Sequence, residues 1–207
     1  MQVLILPFLF YGVKYMYSKK ESSKIKNKNM ETKSFLDPEN ILSQMDISPG
    51  SIVADFGCGS GFFSLAFAKA VGGEGKVYSL DILPSALESV ESKAKIEGIT
   101  NIIAQRVNLE KEGGSKLQEN SNDFVIMKDM LFQNKTKDMI IKEAWRVLKP
   151  GGKLLIAEWN DKDYSIGPDR EIRISKNELE ELVKKQGFKL EKELTTGDFH
   201  YGAVFIK

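Results

Sequence analysis

The chain has 207 residues, 42% of them hydrophobic, and a formal net charge of +1. That length suits one domain with one sizeable core. The single cysteine, Cys58, excludes an intrachain disulfide and any multi-cysteine metal site and fits a reducing cytoplasm.

The charge is uneven along the chain. Residues 1–29 carry Lys14, Lys19, Lys20, Lys24, Lys26 and Lys28 against Glu21, so the rest is mildly acidic. An acidic body argues against a nucleic-acid partner, which calls for a basic footprint. Val3 to Val13 is almost wholly apolar, and a basic, polar stretch follows from Ser18 to Asn29. The apolar run is short of the roughly 20 residues that span a bilayer, and Pro7 and Lys14 interrupt it. Its charges follow the apolar part, the reverse of a signal peptide. Two readings stand. In one, residues 3–28 are an interfacial anchor with a polybasic stop at the inner face of a membrane. In the other, translation starts at Met30. Either way residues 1–29 lie outside the core and residues 30–207 form the domain.

Asp37-Pro38 reads as an N-cap with proline at the first helical position, opening a helix from Pro38 to Met45. Ser48-Pro49-Gly50 turns into a strand, Ile52 to Asp55, followed by a helix from Phe62 to Val71. Lys76 to Leu80 reads as a second strand. Ser85 and Glu88 suggest a capping box for a helix ending near Glu97. Ile102 to Val107 and Phe124 to Met127 read as strands three and four, with a polar loop over Glu110 to Asn122 between them. A helix over Lys135 to Leu148 stops at Pro150-Gly151-Gly152, and Lys153 to Glu158 follows as strand five. Ser175 and Glu178 cap a helix to Gln186, and Phe188 to Leu194 and Ala203 to Ile206 form the last two strands.

Alternation of strand and helix predicts an α/β fold, a doubly wound, mostly parallel seven-stranded sheet with helices on both faces. The last connection, Thr195 to Gly202, has no room for a crossover helix, so the final strand runs antiparallel.

The turn after the first strand carries the chemistry. Residues 52–61 read Ile-Val-Ala-Asp-Phe-Gly-Cys-Gly-Ser-Gly. Glycine lets the backbone turn sharply and lie against a ligand, with loop amides at a helix N-terminus facing it. Asp81 ends the second strand roughly 20 residues later, where an acidic residue of a nucleotide-binding βαβ unit takes ribose hydroxyls. A dinucleotide fingerprint, Gly-x-Gly-x-x-Gly, fails on spacing, because Phe62 or Ser64 stands where its third glycine is required.

Asp55, Gly57, Gly59, Gly61 and Asp81 together resemble the class I S-adenosylmethionine-dependent methyltransferases, of the ubiquinone/menaquinone-biosynthesis-like group. The resemblance covers the chain from Phe35 to Lys207 and extends to Glu143 to Gly152, a helix–turn signature with a structural role. It implies a Rossmann-like fold and S-adenosyl-L-methionine as cofactor. It places Asp55, Gly57, Cys58, Gly59 and Gly61 on the methionine and ribose parts, Asp81 on the ribose hydroxyls and Ile82 on the adenine. Asn108 and Leu109 fall near the adenine amine, Asn108 replacing the usual aspartate. Lys128 falls near the methionine end.

Methyl transfer needs the two reactants held in line and water excluded, and a base only if the acceptor must lose a proton. Asp129, Glu158 and His200 are the candidates for that role, with Asp161 and Asp198 behind them; His200 falls in the last hairpin loop by this reading. Phe62, Phe63 and Phe67 sit at helical spacing and read as core. The expected function is methyl transfer to a small-molecule or lipid-like acceptor. A protein methyltransferase and a non-catalytic cofactor- or partner-binding domain are the alternatives.

Overall fold

The computed structural model describes residues 35–207, so the expectations for residues 1–29 lie outside the described residues. Seven strands alternate with five α-helices along them. The strands are β1 (Ile52–Phe56), β2 (Lys76–Asp81), β3 (Ile102–Arg106), β4 (Asn122–Lys128), β5 (Leu148–Trp159), β6 (Lys189–Leu194) and β7 (His200–Ile206). The helices are α1 (Pro38–Ser43), α2 (Phe62–Val71), α3 (Pro84–Ile96), α4 (Lys137–Val147) and α5 (Lys176–Lys185).

The strand order is β3-β2-β1-β4-β5-β7-β6. The β1–β2, β1–β4, β2–β3 and β4–β5 pairs are parallel, and β7 runs antiparallel to both β5 and β6. The expected sheet and its antiparallel last strand are therefore present. Order reverses at β1 and β4, and the carboxyl ends of those strands are where an open α/β sheet forms its crevice.

Side chains alternate across a strand, and both faces here are covered. Ala54, Phe56, Val125 and Met127 join Ile140, Ile141, Ala144 and Val147 of α4 and Leu179 and Val183 of α5 in one cluster. Val53, Val77, Phe124 and Ile126 join Ile41 of α1 and Phe63, Phe67 and Val71 of α2 in the other. That two-sided burial explains the continuous apolar run of β1.

Two helix starts form as the sequence suggests. The Asp37 carboxylate accepts from the Glu39 amide at 3.1 Å, and the Ser175 hydroxyl accepts from the Glu178 amide at 3.3 Å. The Ser85–Glu88 capping box does not form. Pro84 already occupies the first helical turn, so Leu83 stands at the cap and makes no side-chain bond there. The first helix also ends earlier than Met45, at Ser43. The last strand begins three residues before Ala203, because Trp159 and Glu158 at the end of β5 pair with His200 and Tyr201. His200 is thus a strand residue, not a loop residue.

The Glu143–Gly152 stretch departs from the expected helix and turn: α4 ends at Val147 and β5 already begins at Leu148, so Pro150-Gly151-Gly152 lies within the strand. Glu143 is buried in α4; its carboxylate accepts from the Ser115 amide at 3.0 Å and from Arg146 Nε at 2.8 Å, tying the 110–121 loop to the helix. Burial opposes its charge, but the Arg146 and Ser115 hydrogen bonds hold this carboxyl below its usual range. Among the described residues no helix is long and apolar enough to cross a membrane.

Candidate functional site

The carboxyl ends of β1, β2 and β4 surround a cleft of about 440 Å³. Its floor is the 57–61 turn. Gly57, Gly59 and Gly61 have φ of +69°, +50° and +84°, a region that disfavours side chains. A Cβ on Gly57 would sit 3.2 Å from Met130, and one on Gly61 would sit 2.8 Å from Val90. A Cβ on Gly59 would meet nothing within 4 Å, so here the backbone itself forms the wall of the cleft.

Asp81 joins this turn to β2. One carboxylate oxygen accepts from the Gly59 amide at 3.0 Å and the other from the Leu83 amide at 2.9 Å. Each oxygen keeps a lone pair for a further donor. Ile82 beside it is 52% exposed and lines the cleft. Asn108 and Leu109 line the same wall, with Asn108 Oδ1 accepting from the Glu110 amide at 3.0 Å.

Asp55 reaches the cleft from beneath and is only 2% exposed. The Ser64 hydroxyl donates to it at 2.6 Å, and the Ser79 hydroxyl donates to Ser64 at 2.7 Å. Burial is the main reason its carboxyl is pushed up to about 6, with the Ser64 bond pulling the other way. Burial likewise pushes the Cys58 thiol up, away from nucleophilic reactivity.

At the far end, Lys128, Asp129 and Met130 line the cleft after β4. Asp129 adopts φ +52° and its amide donates to the Ala157 carbonyl at 2.9 Å. The Lys128 ammonium pairs with its carboxylate. From behind, His200 Nε2 lies 3.1 Å from Oδ1 and 3.3 Å from Oδ2. Burial opposes the Asp129 charge, but the His200 hydrogen bond and the Lys128 charge hold the carboxyl below its usual range.

Glu158 is fully buried; its Oε1 accepts from the Met130 amide at 3.0 Å and the Leu131 amide at 2.7 Å. Burial first, then the Asp129 charge, pushes it up to about 8, so it is neutral at pH 7 and shapes the turn after β4.

Every residue expected to hold the cofactor lies on the cleft, except that Gly61 sits one step behind it as the N-cap of α2. Of the three candidate bases, only Asp129 reaches the cleft wall. Phe62 corrects the sequence reading: it is 54% exposed on the cleft rim, with the Lys93 ammonium 4.8 Å from its ring centre, while Phe63 and Phe67 are core. The loop from Lys128 to Asn134, expected to line the acceptor site, does reach the cleft through Met130, Gln133 and Asn134, whereas sequence reasoning missed Ser64 and Ser79. Ser64 was the more accessible of the two, since the first turn of a helix after a glycine turn lies against the end of the preceding strand. Among the described residues no group of three His, Cys, Asp or Glu side chains is arranged to hold a metal.

A family described as methyltransferase domain matches residues 47–200, and the chain belongs to it. The demethylmenaquinone methyltransferase of Geobacillus kaustophilus is 32% identical over 124 residues, covering 58% of this chain and 50% of that protein. The ubiquinone/menaquinone biosynthesis C-methyltransferase UbiE of Hydrogenovibrio crunogenus is 35% identical over 115 residues, covering 55% of this chain and 44% of that protein. The chain thus spans about half the length of the curated relatives it matches. Among solved structures, a SAM-dependent methyltransferase from Aquifex aeolicus superposes with a TM-score of 0.76 at 26% identity, covering 83% of this chain and 90% of that one. The [4+2]-cyclase SpnF shares the fold, with a TM-score of 0.64 at 20% identity.

Proposed function

We propose that this protein transfers a methyl group from S-adenosyl-L-methionine to a small, lipid-like, quinone-type acceptor. The observation that carries the cofactor half is Asp81, gripped by the Gly59 and Leu83 amides with a lone pair on each oxygen turned to a cleft of about 440 Å³. A vicinal diol offers two O–H donors to such a carboxylate. The open face of Gly59 leaves room for a ligand against the backbone, and Ile82 and Leu109 give apolar walls for a flat base. The residues present therefore fit the group: Asp55 and the 57–61 turn on the methionine and ribose side, Asp81 on the ribose hydroxyls, and Ile82, Asn108 and Leu109 about the adenine. Lys128 stands at the methionine end.

When bound, S-adenosylmethionine supplies an electrophilic methyl group on a sulfonium. The chain has to hold the acceptor in line with that methyl and keep water out, which proximity accounts for. The acceptor class rests on the names of the relatives, a demethylmenaquinone methyltransferase and a ubiquinone/menaquinone biosynthesis C-methyltransferase. Residues 30–207 are the catalytic domain in this reading, and residues 3–28 tether it weakly to the inner face of a membrane, where such acceptors reside.

The test is transfer of tritiated methyl from S-adenosylmethionine to reduced demethylmenaquinone in detergent by the full-length chain. Label in the extracted lipid supports the proposal. Label that stays in the aqueous phase with a folded, cofactor-binding protein removes the acceptor assignment.

A further inference from the structure

His200 opens β7 and Asp129 follows the end of β4, two strands that do not pair. In the order β4-β5-β7, β5 lies between them, and the His200 ring reaches across its end to the Asp129 carboxylate. The His200 side chain is 3% exposed and packs at a tilt against Trp159, ring centres 4.4 Å apart. Asp129 lines the cleft; its Oδ2 meets both Lys128 and His200, while its Oδ1 is buried and makes no hydrogen bond among the described residues. Its left-handed backbone is one that a non-glycine residue adopts at a cost, and such strain gathers at functional sites.

Two further observations argue against a purely structural ion pair. His200 Nδ1 is buried and, among the described residues, meets no hydrogen-bond partner. A nitrogen without a partner is best accommodated as the bare lone pair, which assigns the ring hydrogen to Nε2, toward Asp129. Lys128 approaches the same carboxylate from the cleft side while staying about one-third exposed. A cation and a carboxylate therefore stand side by side on the wall where an acceptor would lie.

We propose that Asp129 takes the proton of the acceptor, that His200 is the residue positioning it, and that Lys128 holds the oxygen that loses the proton. This deepens the methyltransferase reading and rests on it. The arrangement selects for a hydroxyl. A hydroxyl oxygen has two lone pairs, so it gives its hydrogen to Asp129 and still accepts from Lys128. An amine nitrogen has one lone pair, which the attack itself uses.

In the step, the acceptor O–H bond breaks and the proton goes to an Asp129 oxygen. The O–H electron pair stays with the acceptor and, delocalised onto a ring carbon, forms the bond to the incoming methyl carbon. The methyl–sulfur pair stays on sulfur, leaving a neutral thioether. The proton held by Asp129 returns to the oxygen as the hydrogen on that ring carbon leaves to water, so the hydroxyl and the Asp129 carboxylate are both restored and one proton in all is released. The charged and titratable groups around the pair are Lys128 from β4 and Glu158 from β5, with Asp55 of β1 in turn acting on Lys128.

His200 is the only histidine of the chain, so one imidazole appears in long-range ¹H–¹⁵N spectra of the full-length protein. The expected result is a ring hydrogen on Nε2 and ¹⁵N signals that move in Asp129→Asn. An Nδ1–H ring, or signals that Asp129→Asn leaves in place, overturns the proposal. The kinetic arm uses reduced demethylmenaquinone, with S-adenosylhomocysteine affinity unchanged within about twofold as the control for folding. Asp129→Asn lowers kcat by about 100-fold or more, the scale of a lost general base. His200→Phe lowers it by at least about tenfold at little change in KM. His200→Gln, whose amide nitrogen replaces Nε2, recovers most of it. Retained kcat in Asp129→Asn, or equal losses in His200→Phe and His200→Gln, overturns the proposal. If wild type binds S-adenosylhomocysteine and methylates nothing, the acceptor assignment fails, and the spectra alone decide the pairing.

Discussion

Replacing Glu158 with Gln tests whether this carboxyl is the neutral, amide-binding group its surroundings require. Its Oε1 takes two backbone N–H bonds and its Oε2 has no partner among the described residues, so the protonated acid and a glutamine amide are near-isosteric here. Burial pushes Glu158 from 4.5 up to about 8. A carboxyl raised by folding stabilises the fold fully below the unfolded value, and that contribution is lost as pH rises through the folded one. The window is therefore pH 4.5 to 8. With one bound proton worth about 1.4 kcal/mol per pH unit, wild type loses about 3 kcal/mol between pH 5 and pH 8 from this group alone. Glu158→Gln has nothing to ionise and escapes that loss. Urea unfolding of both proteins at pH 5, 6.5 and 8 measures the difference directly, because groups other than Glu158 largely cancel. The two proteins should be close at pH 5, and the variant should be more stable by about 2–4 kcal/mol at pH 8. Parallel stability curves would refute the neutral-acid argument and mean that the two amides hold Glu158 ionised.

Other changes test the turn and its support. Ser64→Ala removes the 2.6 Å hydrogen bond to buried Asp55 and strands Ser79, which should lower stability by about 1–3 kcal/mol in urea unfolding. Because it also pushes Asp55 further above 6, that loss should deepen as pH rises from 5 to 7. Gly61→Ala combines φ +84° with a Cβ 2.8 Å from Val90 and should cost about 1–3 kcal/mol in thermal or urea unfolding. Gly59→Ala carries the backbone strain without the clash, so it should fold better than Gly61→Ala yet bind S-adenosylhomocysteine more weakly by calorimetry.

The fold was readable because its determinants are local and periodic. Gly57, Gly59 and Gly61 mark one turn, Pro38 and Ser175 mark helix starts, and the short 195–199 connection forces β7 antiparallel. Ser85 misled because Pro84 sets the helix start more strongly than a capping box does. Phe62 misled because it adjoins Phe63, which with Phe67 has the i, i+4 spacing of a core face, while Phe62 itself, the first residue of α2, overhangs the cleft. His200 read as a loop residue because the strand that extends it, the end of β5, is about 40 residues away along the chain. Its meeting with Asp129 needs the strand order, which no local pattern encodes. The same holds for Glu158, an acid in an apolar run whose partners are backbone amides 27 and 28 residues back.

The central claim is that the 57–61 turn and Asp81 bind S-adenosylmethionine. Calorimetric titration of S-adenosylhomocysteine into the full-length chain, with Asp81→Ala alongside, tests it most directly. The account predicts micromolar binding to wild type and a loss of about 1–3 kcal/mol in the variant, the cost of leaving polar partners unpaired. No binding to a folded wild-type protein, or equal binding to both, would contradict it.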